Sequence, residues 1–117
     1  MRVFVYFNLH KKLWSVRALE GPDKGRVIQH ATALCLADCT FKVSEAGRER
    51  VLRERQKNVH AGVVGTLVAS PDAALSPSHR ITYNPYRFST FVNTDTLAPI
   101  YAAASVTFDN RTVICHG

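Results

Sequence analysis

Along most of the chain apolar and polar residues alternate, or apolar residues cluster in short runs, at the period of two that marks β-strands. Arg2-Val3-Phe4-Val5-Tyr6-Phe7 opens the pattern with valines and rings and predicts a largely buried strand. Asn8-Leu9-His10-Lys11-Lys12 interrupts it. Alternation resumes from Leu13 to Leu19, with Trp14, Val16 and Ala18 on one side and Leu13, Ser15, Arg17 and Leu19 on the other. Glu20-Gly21-Pro22-Asp23-Lys24-Gly25 is a turn signal, because proline pre-sets one backbone angle and glycine permits positive φ. Arg26 to His30 then predicts the returning strand of an antiparallel meander.

Ala31 to Val43 is apolar but mixed, and only Thr40-Phe41-Lys42-Val43 reads as the end of a strand. Ser44 is a favourable N-cap and Glu45 suits the first turn of a helix. These signals predict one helix from Glu45 to about Lys57, with Val51 and Leu52 turned inward. Val59 to Ala69 predicts a buried strand, and Ser70 to Ser78 a loop. Arg80–Tyr83, Phe88–Val92, Tyr101–Phe108 and Thr112–Cys115 are further strand candidates, the last two joined by a hairpin turn at Asp109-Asn110-Arg111. There is no internal repeat. The expected fold class is α+β: a mainly antiparallel β-sheet or half-open, SH3-like barrel with one helix, forming a single domain over residues 1–117.

Composition narrows the classes. The chain has 117 residues, 46% of them hydrophobic and 21% charged. A chain of this length buries roughly 65% of its unfolded surface, enough for one core without staples. No apolar run approaches the ~20 residues of a membrane span. The apolar N-terminus lacks the small-residue cleavage site of a signal peptide, so a cytoplasmic setting is expected. Three cysteines, Cys35, Cys39 and Cys115, make an odd count that argues against a closed disulfide framework. The Cys35–Cys39 spacing is not a usual zinc knuckle, so the thiols are expected to serve as small hydrophobes, with no metal.

The net charge of +6 raises the odds of a phosphate-bearing partner. Three groups of residues could grip one. On the helix and its exit, Arg48, Arg53, Arg55 and Lys57 are phosphate candidates, followed by Asn58 and His60 as polar contacts. The bland alternative is a solvated helix with internal Glu49–Arg53 and Arg50–Glu54 pairs. In Tyr83-Asn84-Pro85-Tyr86-Arg87-Phe88, Tyr83 and Tyr86 could stack on a base and Arg87 could hold a phosphate, or the rings could be core around a turn. Near the first hairpin, Trp14 could stack beside Lys11, Lys12, Arg17, Lys24 and Arg26, or be core. Enzyme templates fail: there is no Walker loop, dinucleotide glycine fingerprint or Gly-x-Ser-x-Gly elbow. Gly62-Val63-Val64-Gly65 has valines where a nucleic-acid GxxG loop has polar residues. Carboxylates are few, and no catalytic residue or cofactor is assigned.

Several segments together carry a resemblance. They are Tyr6–Lys12, Trp14–Arg17, Lys24–Val27, Phe41–Arg48, Asn58–Gly62 and Tyr83–Tyr86, and they leave out the loop from Ser70 to Ser78. Over these the chain resembles a family of small bacteriophage proteins of unassigned function, and no functional residue is transferred from it. The resemblance implies a host-cell setting and the role of a host-defence inhibitor. One such role is a compact sponge that sequesters a nucleotide alarm signal. The expected function is thus a non-enzymatic protein, a homo-oligomer such as a dimer, that grips a small phosphorylated nucleotide. The alternatives are a DNA- or RNA-binding module using the basic helix, and an inhibitor docking on an acidic host protein.

Overall fold

The computed structural model describes residues 1–69 and 78–116. Its strands are β1 (Arg2–Asn8), β2 (Leu13–Ala18), β3 (Val27–Ala31), β4 (Ala33–Val43), β5 (Ala61–Val68), β6 (Ser78–Thr82), β7 (Val92–Asn93), β8 (Ala102–Asp109) and β9 (Thr112–His116). One helix, α1 (Glu45–Glu54), joins β4 to β5. The strands form one sheet in the order β3-β2-β1-β5-β4-β8-β9-β6-β7, and every pairing is antiparallel. The α+β reading and the first meander stand as expected. Among the described residues, no helix is long and apolar enough to cross a membrane.

Register decides which side chains share a face. Val5 lies opposite Val16 and Val63, Val63 opposite Phe41, and Leu36 opposite Val106. These residues, with Val3, Phe108 and Cys115, form the core on one face, and none is more than 5% exposed. Trp14 on β2 meets Phe108 on β8 with ring centroids 4.7 Å apart, although β1, β5 and β4 lie between their strands. A flat sheet could not bring them together, so the sheet is curled into a half-open barrel with this face inside. The Trp14 indole N–H donates to the carbonyl of Asn110 in the β8–β9 turn. At the barrel corner Thr32 alone separates β3 from β4, and its carbonyl accepts the Asn110 N–H at 2.9 Å.

Three local readings are corrected. The mixed stretch Ala31 to Val43 is mostly one strand of 11 residues, β4. A bulge at Asp38, whose φ is 51°, switches the inward parity from Leu34 and Leu36 to Cys39 and Phe41. Simple alternation therefore fails across it. The helix stops at Glu54 rather than near Lys57: Arg55 adopts a left-handed conformation and its N–H closes on the Val51 carbonyl. Val51 is the one buried residue of α1, and the polar run Arg55-Gln56-Lys57-Asn58 offers no further apolar residue to hold another turn. The Ser44 hydroxyl accepts the Gly47 N–H at 3.1 Å, the expected N-cap, which contributes about 1 kcal/mol. The strand expected over Phe88–Val92 shrinks to Val92–Asn93, because Arg87 and Phe88 are tied back to the Asn84 carbonyl in a turn. The loop expected at Ser70 to Ser78 lies outside the described residues except for Ser78, which opens β6.

Gly62 on β5 is required by close approach. A Cβ there would lie 2.4 Å from the Val5 carbonyl oxygen and 2.6 Å from the Phe4 ring. The ring fills the space a side chain would take.

All three cysteines are free, with Cys39 and Cys115 buried and Cys35 half-buried. Burial, opposed by the Arg2 charge, pushes the Cys39 thiol from the ordinary 9.0 up to about 12. A thiol whose pKa is raised by folding ionises first in the unfolded chain. Its contribution to stability is complete below pH 9 and is lost as pH rises towards 12. Urea midpoints should therefore fall between pH 9 and pH 11, and Cys39→Ala should flatten that fall while lowering stability at pH 7.

Candidate functional site

The concave face of the barrel holds a cavity of about 660 Å³. Its floor is apolar, with Val5, Val63, Phe108, Ile81 and Val113 from β1, β5, β8, β6 and β9, and Val51 of α1 beside them. Two chains of rings reach into it. Phe7, Trp14 and Phe108 form one, with edge contacts of 5.1 and 4.7 Å. His60, Tyr83 and Phe91 form the other, with centroids 5.5 and 5.3 Å apart, and Phe41 backs it at 5.2 Å.

His60 is held on both sides. Its Nδ1 lies 3.1 Å from the Asn58 carbonyl and its Nε2 lies 2.7 Å from the Tyr83 hydroxyl. A carbonyl can only accept, so the neutral tautomer that satisfies both contacts carries its proton on Nδ1 and takes the Tyr83 O–H at Nε2. Burial raises the Tyr83 pKa, with Arg48 opposing, so the phenol stays a neutral donor at physiological pH. Gly47 permits this arrangement, since a Cβ on it would lie 2.5 Å from the His60 Cβ.

The lining changes character at the mouth. Leu9, Val59 and Tyr86 are about half exposed there, beside the exposed polar residues Lys57, Asn58 and Arg111. The Arg111 guanidinium sits 5.4 Å from the centre of the Phe7 ring, held in place by a cation–π contact. Lys57 and Arg111 are the charged lining residues, and no aspartate or glutamate accompanies them among the described residues. The cavity is thus an aromatic, apolar box with a cationic mouth. It can enclose a flat, weakly polar body and hold an anion at the entrance.

Of the ten residues singled out in the sequence, Trp14, Lys57, Asn58, His60, Tyr83 and Tyr86 line this cavity. The other four do not. The Arg48 Nε donates to the Pro85 and Phe88 carbonyls at 3.0 and 2.9 Å, so this side chain braces the turn that carries Tyr86. Arg53 and Arg55 are exposed outside the cavity. Arg87 lies 5.1 Å over the Phe88 ring, also outside it. Trp14 does double duty, being buried core and cavity wall at once. Sequence reasoning missed Phe7, Phe91 and Arg111. Arg111 read only as part of a hairpin turn, and a basic residue at the tip of such a turn carries no local sign of what it faces.

The sequence profile of the family described as Mycobacterium phage L5 gene 82 protein matches residues 1–116. The chain belongs to this phage family. The Gene 82 protein of Mycobacterium phage L5 is 47% identical to it over 112 residues, covering 91% of this chain and 88% of that protein. No solved structure matches the chain. The gene 82 family thus confirms the resemblance to small phage proteins and adds no functional residue, so the chemistry has to come from the cavity itself.

Proposed function

We propose that this gene 82 family member is a binding protein that holds a small phosphorylated nucleotide in the barrel cavity and keeps it from the host. The single observation that carries this reading is the composition of the cavity: two ring chains inside, Lys57 and Arg111 at the mouth, and no carboxylate among the described lining residues. A base has flat apolar faces that rings accommodate, and its phosphate is the anion that a cationic mouth favours. A volume of about 660 Å³ falls in the range of small-molecule sites.

The alternative of nucleic acid gripped along α1 draws less support. Arg48 is turned to the 85–88 turn, and Arg50 pairs with Glu54 at 3.6 Å, which leaves Arg53 as the remaining cation within the helix. A continuous basic stripe is what that mode needs. Thermal-shift measurements against cyclic dinucleotides, cyclic trinucleotides, ADP-ribose derivatives and nucleoside monophosphates test the proposal. A ligand at 100 times its Kd should add about 2.7 kcal/mol of stability. The gain should survive 0.5 M salt, whereas binding of single-stranded DNA would collapse there through counterion uptake. Stabilisation by DNA alone would overturn the reading.

A further inference from the structure

Nearly every polar side-chain atom inside the cavity is already committed. Among the described lining residues that are not exposed, Tyr6, Asn8, Trp14, His60 and Tyr83 carry such atoms. Tyr6 turns its ring to the other face of β1, where the Arg17 guanidinium sits 5.6 Å from the ring centre, while Val5 and Phe7 on either side of it face inward. The Trp14 N–H goes to the Asn110 carbonyl. The Asn8 Oδ1 accepts the backbone N–H groups of His10 and Lys11 at 3.0 and 3.1 Å, and its Nδ2 donates to the Ser15 hydroxyl at 3.3 Å. Both ring nitrogens of His60 are taken, by the Asn58 carbonyl and by Tyr83. The Tyr83 Oη remains. With the His60 proton on Nδ1, Nε2 can only accept, so the Tyr83 hydroxyl spends its one hydrogen there. The hydroxyl then has lone pairs, and no hydrogen, to offer a ligand.

We propose that Tyr83 makes the cavity selective for a flat ring that leads with an N–H donor, and against one that leads with an acceptor or an anion. The proposal deepens the nucleotide reading and takes its biological meaning from it. The base enters with an N–H edge towards Tyr83, and the phosphate stays at the mouth with the donors of Lys57 and Arg111. Entry in the reverse sense would set phosphate oxygens against the Tyr83 lone pairs, with no uncommitted side-chain donor among the unexposed lining residues. A site that leaves a buried polar group facing a ligand atom that cannot pair with it discriminates strongly against that ligand. His60 is a positioning residue in this scheme. It touches the ligand's partner, not the ligand, and its tautomer fixes which way the Tyr83 hydrogen points.

Two NMR measurements test the proposal. In the ligand-free protein, the ¹⁵N signals of the neutral His60 ring should place its proton on Nδ1. A proton on Nε2 would overturn the proposal, because the Tyr83 hydrogen would then be free to point into the cavity. The second measurement compares indole with benzofuran, which share one bicyclic shape and differ in an N–H against a ring oxygen. Titrated into the ¹⁵N-labelled protein, indole should bind about fivefold more tightly or better, the worth of one neutral hydrogen bond. Tyr83→Phe should narrow that ratio to about twofold or less, because the hydroxyl that carries the preference is gone. Equal affinities in the unaltered protein, or no binding of either probe, would overturn the proposal. Neither probe carries a phosphate, so the two readings can fail separately. A preference for indole with no nucleotide bound would uphold the role of Tyr83 and remove the nucleotide reading. A bound nucleotide with equal affinities for the two probes would do the reverse.

Discussion

Trp14→Ala should cost about 3–5 kcal/mol of unfolding free energy, the range for deleting a large buried ring from a packed core. That is a large share of the roughly 5–15 kcal/mol that holds a domain of this size together. The reason is position. Trp14 is 7% exposed and links strands that lie far apart in sheet order, through its edge contacts to Phe7 and Phe108 and its N–H to the Asn110 carbonyl. Without the ring, β2 and the β8–β9 turn lose their bridge and the barrel can open. Trp14→Phe should cost much less, since it keeps a ring against Phe108, and Asn110 is exposed enough for water to satisfy its carbonyl. Trp14 is the sole tryptophan, so urea unfolding must be followed by far-ultraviolet circular dichroism. An alanine variant as stable as the parent would show that the curl of the sheet does not depend on this contact.

The second large effect concerns binding. Hydrogen bonds to a charged group contribute about 1.5–3 kcal/mol each, and at a solvent-facing mouth the lower end applies. Lys57→Ala and Arg111→Ala should each weaken a nucleotide ligand about tenfold, and the double variant about 100-fold, as read by isothermal titration calorimetry. The matched control is Arg50→Ala with Arg53→Ala, which removes two positive charges from the outer side of α1. It should leave affinity within about twofold, because screening reduces distant surface charges to little at physiological salt. Equal losses in both pairs would mean that overall charge, and not the cavity mouth, sets affinity. Unfolding midpoints should be nearly unchanged in all four single variants, since Lys57, Arg111, Arg50 and Arg53 are all exposed.

The architecture was legible where side-chain period and backbone agree. Val3, Val5, Val16 and Val63 face inward as the alternation says, and Ser44 caps the helix as its hydroxyl predicts. Legibility ended where a local event broke the period. The Asp38 bulge hid most of β4, and the left-handed Arg55 ended α1 before the basic run was finished. Site residues divided along a similar line. Aromatic residues beside polar ones, such as Tyr83 with His60, could be found because both types are scarce and chemically marked. Positive charges could be counted but not aimed. Arg48 satisfies two carbonyls, whereas Arg111, at a hairpin tip, reaches the mouth through Phe7. Which cation converges on a cavity depends on how the sheet curls, and that is a long-range property.

Titration of the ¹⁵N-labelled protein with a stabilising nucleotide, followed by NMR, tests the central claim most directly. The Trp14 indole signal and the amides of Lys57, His60, Tyr83 and Arg111 should shift together along a single saturation curve, because they border one cavity. Shifts confined to Arg50, Arg53 and the outer turn of α1, with the indole signal still, would contradict it.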